Sequence, residues 1–229
     1  MELRKHPDLR IQHLTIGREG APLLVIDNVV ANAESLVEMA ATKMFANPDS
    51  YYPGLRAKAP LGYQRYVLEQ FNKLFTDVFA LGTRTLSFTI CHFSLVTTPP
   101  SQLSHMQCIP HFDSLDNNEL AFVHYLFKKD LGGTAFYRHR STGFEVVDAA
   151  RKEAYFREVT REKLGPDKPA QAYIHGDTAL YEQIGRQDAV FNRMLIYRRT
   201  SLHSGDLGSD FVPDHDPRTG RLSLNGFLQ

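Results

Sequence analysis

A chain of 229 residues is long enough to bury one sizeable core. Lys+Arg and Asp+Glu balance at 26 each, which argues against a nucleic-acid footprint and against a polybasic membrane surface. No apolar run approaches transmembrane length, no apolar signal core follows Met1-Glu2-Leu3-Arg4-Lys5-His6-Pro7, and the two cysteines, Cys91 and Cys108, make no disulfide framework. The expectation is a cytoplasmic single domain spanning residues 1–229, with reduced thiols and an oligomeric state that the sequence does not disclose.

Residues 1–20 are polar and read as an arm or short strand. Pro22 to Asp27 is an apolar run of strand length. Asn32 is a candidate cap for a helix to about Phe45, with Leu36, Met39, Ala40 and Met44 at helical spacing and Asn47-Pro48 as its stop. Tyr51 to Arg56 and Ala59 to Gly62 form a loop punctuated by Pro and Gly. A second amphipathic helix is expected over about Gln64 to Leu81, burying Val67, Phe71, Leu74, Phe75 and Val78, with Gly82 at its C′ position. Residues 1–83 thus read as a helical N-terminal support.

From residue 84 the pattern changes to strands. Thr85 to Leu95 is one. Glu119 to Phe127 is apolar on both parities and reads as a strand buried on both faces. Gly132-Gly133 is a turn before the strand Thr134 to Arg138. Residues 145–190 read as a helical insertion: a charged helix over Asp148 to Leu164, stopped by Gly165-Pro166, then a short helix capped by Asp177 and ending near Gly185. Strand texture resumes over Arg193 to Tyr197 and in the last strand, Arg221 to Phe227. Apart from that insertion, short strands with Gly/Pro turns and no intervening helices predict a barrel or double sheet over residues 84–229.

The chemistry gathers at His111-Phe112-Asp113. Side chains on extended chain alternate, so His111 and Asp113 share a face. A third ligand would complete a two-histidine, one-carboxylate set, the geometry of non-haem Fe(II) oxygenases. His203, after a strand and just before Gly205, is the natural candidate. Eighteen residues on, Arg221 and Ser223 share a strand face and suit a carboxylate, because the guanidinium fork is always charged and matches carboxylate geometry. Three ligands leave room for a chelating 2-oxo acid and O2.

The order His111-x-Asp113, Tyr125-Leu126, Gly132-Gly133-x-x-Phe136, Leu202-His203-x-Gly205, Arg221-x-Ser223 resembles the 2-oxoglutarate/Fe(II)-dependent dioxygenases, in the prolyl-4-hydroxylase-like branch. The resemblance covers residues 85–229. It implies an α+β chain with a double-stranded β-helix (jelly-roll) core, and His111, Asp113 and His203 as iron ligands. It implies Arg221 and Ser223 on the distal carboxylate of the cosubstrate 2-oxoglutarate, with the Tyr125 hydroxyl supporting it. Asp113 is present, so hydroxylation with release of succinate and CO2 is expected rather than halogenation. The Gly132–Phe136 spacing is one residue shorter than the common form, which leaves the inward-facing residue open.

Rival ligands are His92, His105, His124 and His139; alternation turns His124 away from Tyr125. The alternative function is a non-catalytic jelly-roll metal- or ligand-binding protein, and a hydrolytic Zn(II) or Mn(II) site is a third reading. The expected substrate is a small molecule or an amino-acid or peptidyl side chain, not nucleic acid or membrane. The 145–190 segment and the Tyr51–Arg56 loop are the places to look for its wall.

Overall fold

Two antiparallel sheets face each other in the computed structural model, which describes residues 2–48, 51–208 and 211–229. In chain order the elements are β1 (Arg10–Ile16), β2 (Ala21–Asp27), α1 (Ala33–Ala41), β3 (Gly54–Lys58), α2 (Leu61–Val78), β4 (Phe88–Val96), β5 (Leu120–Tyr125), β6 (Gly133–His139), α3 (Lys152–Lys163), β7 (Tyr181–Asp188), β8 (Met194–Arg198), β9 (His203–Asp206) and β10 (Leu222–Leu228). The seven-stranded sheet runs β1-β2-β8-β5-β10-β4-β3 and the three-stranded sheet β7-β6-β9. No helix among the described residues is long and apolar enough to cross a membrane.

Alternation sorts each strand's side chains into two layers. The outer face of the large sheet, with Phe93, Leu95, Phe122, Ile196 and Leu224, packs on α1 and α2. Its inner face, with Val25, Val123, Tyr125, Leu195 and Tyr197, meets Phe136 of the small sheet. The outer face of the small sheet packs on Tyr155 and Val159 of α3. The site lies between the inner faces.

The strands at β2, β5 and β8 fall where apolar runs predict them, and all of β5 is buried. The N-terminal third is less helical than expected, since β1, β2 and β3 join the large sheet. β3 lies in the stretch read as a loop. There Gly54 permits a close approach to β4: a Cβ would lie 2.1 Å from the Leu95 carbonyl oxygen. α1 stops at Ala41 rather than Phe45 because the chain leaves to pair with β3. Ala46 and Arg56 exchange backbone hydrogen bonds of 3.0 and 2.9 Å. Met44 is consequently exposed, and Asn32 makes no side-chain cap.

α2 starts at Leu61, directly after the extended Pro60, and buries Val67, Phe71 and Phe75 while Leu74 and Val78 are half-buried. Its C′ residue is Ala80, not Gly82. Ala80 has φ +50°, Leu81 N–H donates to Thr76 O at 2.9 Å and Ala80 N–H to Asp77 O at 3.3 Å, a Schellman closure.

The segment 145–190 contains α3 but not the second helix. Asp177 and Thr178 cap a turn instead, accepting from Gln183 N–H at 2.7 Å and Tyr181 N–H at 3.0 Å. Residues Tyr181–Asp188 then form β7, which pairs with β6 along its length. A strand this polar, with Gly185 inside it, carries little alternation for sequence reading to find.

Candidate metal centre

His111 and His203 form a mutual backbone pair, each N–H donating to the other's carbonyl at 2.9 Å. Opposed residues of an antiparallel pair present side chains to the same face, and the two rings meet with centroids 4.3 Å apart. Asp113 reaches the same face. Its Oδ1 lies 3.8 Å from His111 Nε2 and its Oδ2 3.5 Å from His203 Nε2. One ligand atom from each residue lies within 4.8 Å of the others.

The backbone of Asp113 is clamped by Arg199. Asp113 N–H donates to Arg199 O at 2.7 Å, and the guanidinium returns a 2.8 Å bond to Asp113 O while holding Glu119 at 2.5 Å. His203 Nδ1 donates to Ser201 O at 2.9 Å. A carbonyl only accepts, so Nδ1 carries a proton and Nε2 is the ring nitrogen turned toward Asp113. Nearly half of the His111 side chain is accessible, at 47%, and it lines the cavity. The partly desolvating cavity wall, with the neighbouring His203, pushes its pKa down, against the opposing pull of Asp113. Two imidazole nitrogens and a carboxylate thus converge, the donor set that suits a divalent first-row ion.

The cavity beside this set holds about 480 Å³, within the range of about 300–1,000 Å³ for small-molecule sites. Arg221 lines it, nearly buried. Its Nε donates to Leu131 O at 3.0 Å and its Nη2 to Gly133 O at 2.7 Å. Its Nη1 has no acceptor among the described residues. The Tyr125 ring lies 5.9 Å from this guanidinium, and its hydroxyl shares a 2.6 Å hydrogen bond with Thr134 Oγ1. Burial raises the Tyr125 pKa, partly offset by Arg221. Ser223 stands opposite Tyr125 in the register, but its hydroxyl donates to Asn225 Oδ1 at 2.5 Å and it is not on the cavity surface, whereas Asn225 is. In the Gly132–Phe136 stretch, Thr134 lines the cavity, while Phe136 packs against Tyr197 and His203.

Both stretches named as candidate walls contribute to the cavity. Tyr52 and Arg56 come from the β3 side, and Tyr155 and Phe156 from α3. Thr134 and Arg56 carry no signal in the sequence that separates them from any strand Thr or Arg. The rival histidines belong elsewhere. His124 points to the helices, 3.0 Å from Tyr63 Oη and 3.1 Å from Asn192 Oδ1. His139 is buried against Glu162 at 2.8 Å. Among the described residues, His111, Asp113 and His203 are the one group of three or more such side chains close enough to hold an ion.

The model of a family described as "Family of unknown function (DUF6445)" matches residues 7–228. No curated protein matches the chain. The crystal structure of HygX from Streptomyces hygroscopicus, with nickel and 2-oxoglutarate bound, superposes with a TM-score of 0.50 at 10% identity, covering 92% of this chain and 83% of that one. A novel N-substituted L-amino acid dioxygenase from Burkholderia ambifaria AMMD gives a TM-score of 0.46 at 10% identity, covering 96% of this chain and 94% of that one. The likeness to HygX is one of fold. The chain is α+β, and its two facing antiparallel sheets form a double-stranded β-helix, the fold it shares with HygX.

Proposed function

The chain belongs to the DUF6445 family, and we propose that it is an Fe(II)- and 2-oxoglutarate-dependent oxygenase. Its substrate would be a small molecule or an amino-acid or peptidyl side chain, hydroxylated with release of succinate and CO2. The observation that carries this reading is the convergence of His111, Asp113 and His203 on a cavity that also contains a nearly buried guanidinium, that of Arg221.

In this reading His111, Asp113 and His203 hold the metal. Iron bound there would supply the activation of O2 for C–H oxidation, coupled to decarboxylation of 2-oxoglutarate. The chain's own residues provide the rest. The bond from His203 Nδ1 to Ser201 O orients the ring so that Nε2 is the nitrogen presented to the ion. Arg199 fixes the backbone from which Asp113 projects. Arg221, oriented by the Leu131 and Gly133 carbonyls, keeps N–H groups for the distal carboxylate, with the Tyr125–Thr134 hydroxyl pair beside it. Ser223 stands on the same strand face as Arg221, one hydrogen bond removed through Asn225. HygX, of the same fold, has been crystallised with a divalent metal and this cosubstrate, which favours the reading.

Anaerobic titration of the protein with Fe(II) and then 2-oxoglutarate tests it. The expected result is a visible metal-to-ligand band in the wild type that Asp113→Ala abolishes, together with succinate formation in air. A wild type that gives no band overturns the reading and favours a non-catalytic binder.

A further inference from the structure

A second cation lines the cavity, and neither the metal nor the cosubstrate accounts for it. Arg56 sits on β3, its backbone N–H and C=O both bonded to Ala46, and stands opposite Ser94 of β4 in the register. Its guanidinium carbon lies 4.3 Å over the Tyr52 ring. Stacking of that kind occupies the face of the guanidinium and leaves its in-plane N–H edges available.

Those edges find no acceptor. Arg56 Nε is buried without a hydrogen-bond partner, and its guanidinium makes no ion pair among the described residues. Buried Arg138 and half-buried Arg193 and Arg199 are each paired with a carboxylate, Glu145, Asp27 and Glu119, and Arg221 donates to two carbonyls. Burying a charge without a hydrogen-bonded acceptor is costly; burial works against this one, and Tyr52 and Asp113 offset that only through space. A ligand that brings its own acceptor removes the cost.

Charge states what that ligand is. Among the described residues the cavity is lined by two guanidiniums, Arg56 and Arg221, and one carboxylate, Asp113, besides His111 and His203, which add no charge when they ligate a metal. A divalent ion and doubly charged 2-oxoglutarate cancel each other, so one positive charge is left over. A monoanion balances it, whereas a phosphate ester, at about −1.5 to −2 near neutral pH, overshoots. The neighbouring walls are apolar and aromatic, with Phe112, Tyr155, Phe156 and Phe227.

We propose that Arg56 is the specificity-determining residue for the oxidised substrate, and that this substrate is a small carboxylate with an apolar body. The charge count rests on the metal-and-cosubstrate reading above. The orphaned guanidinium does not.

Calorimetric titration with 3-phenylpropionate and its uncharged isostere 3-phenylpropionamide tests the proposal, on Mn(II)- and 2-oxoglutarate-loaded protein and again on metal-free protein. A charge-assisted pair predicts at least about a tenfold preference for the carboxylate. Arg56→Gln is expected to erase that preference while holding 2-oxoglutarate affinity within about threefold, and Arg56→Lys, which keeps the charge, to retain part of it. Arg221→Gln is expected to lose at least about tenfold in 2-oxoglutarate affinity.

Equal binding or no binding of the two probes by the wild type overturns the proposal. So does a preference that survives Arg56→Gln. A loss of 2-oxoglutarate affinity in Arg56→Gln equal to that in Arg221→Gln makes Arg56 a cosubstrate anchor instead. Failure of the wild type to bind Mn(II) or 2-oxoglutarate sinks the oxygenase reading alone, because the probe preference is still read on the metal-free protein.

Discussion

The two sheets are backed by different chemistry. Behind the large sheet, α1 and α2 contribute Leu36, Val67, Phe71 and Phe75 to a core that is almost wholly apolar. Behind and around the small sheet, buried polar groups are matched to polar partners: Arg138 with Glu145 and Glu182, His139 with Glu162, Asp206 with His175 and Arg186. The first arrangement needs volume and shape, and hydrophobic substitutions that conserve volume are tolerated there. The second needs every partner in place, because a buried group left alone carries its full desolvation penalty. The candidate ligand His203 sits on the small sheet, and the candidate carboxylate anchor Arg221 directly precedes β10 of the large one. The cavity therefore spans both kinds of support.

Glu145 is where that contrast breaks most sharply. Its side chain is 2% exposed. It accepts from the backbone N–H groups of Arg18 at 3.1 Å and Glu19 at 2.9 Å, and from Arg138 Nε at 2.8 Å. Burial alone would raise its pKa, but these donors hold it below the ordinary carboxylate value. The turn between β1 and β2 comes so close that a Cβ on Gly17, at φ +63°, would lie 2.1 Å from Glu145 Oε2. The Glu145 carbonyl also accepts from Leu202 N–H at 2.9 Å, one residue before His203. Glu145→Ala is expected to cost about 3 kcal/mol, the lower end for a broken buried pair because Arg138 keeps Glu182. Glu145→Gln, whose amide oxygen still accepts the two N–H bonds, is expected to cost less. Urea unfolding at constant m-value measures both, and a loss under about 1 kcal/mol in the alanine variant would mean that the small sheet is held by packing, as the large one is.

On the large sheet the corresponding probe is His124, fully buried beneath α2. Burial pushes its pKa down to about 4, with the Asn192 hydrogen bond opposing. The folded-state value is below the unfolded value of about 6.5, so the unfolded chain binds the extra proton. Stability from this group is complete above about pH 6.5 and falls as the pH drops toward 4, by about 3 kcal/mol in all. His111 shifts in the same direction, so the wild-type loss contains both. His124→Gln is expected to remove one proton's share of the slope between pH 6.5 and 4. A variant whose pH profile superposes on the wild type would show that the imidazole takes its proton without leaving the fold.

The difference between the sheets also decided what could be read in advance. Apolar runs are local, so β2, β5 and β8 announce themselves, and alternation alone turns His124 away from Tyr125. The order of His111, Asp113, His203 and Arg221 along the chain is informative, and the fold brings the first three together beside the cavity that Arg221 lines. β7 was not legible, since its polar residues are stabilised by pairing with β6 rather than by a local pattern. Nor was β3, whose Pro and Gly neighbours look like a loop although Gly54 serves a close strand contact. Ser223 shows a further limit. Two side chains on one strand face can bond each other, and Asn225 takes the hydroxyl that sequence assigns to a ligand.

The end of α2 gives the smallest and most local test. The C′ site of a Schellman closure demands a left-handed residue, and sequence reading assigns it to Gly82 because glycine alone adopts that conformation freely. The chain instead closes two residues earlier, with Ala80 at φ +50° and Leu81 N–H reaching back to Thr76 O. Closing there lets Phe79 and Leu81 both enter the core behind the large sheet, so packing outweighs the backbone preference. A left-handed non-glycine residue costs about 1–2 kcal/mol, and glycine gives some of that back through its freer unfolded state. Ala80→Gly is therefore expected to stabilise by up to about 1 kcal/mol, seen as a higher urea midpoint at unchanged m-value. A lower midpoint would mean that the Ala80 methyl packs in a way that outweighs its strain. Gly82→Ala supplies the contrast: Gly82 also has φ +69° but lies outside the closure, with no atom within 4 Å of an added Cβ, so its cost is backbone strain alone.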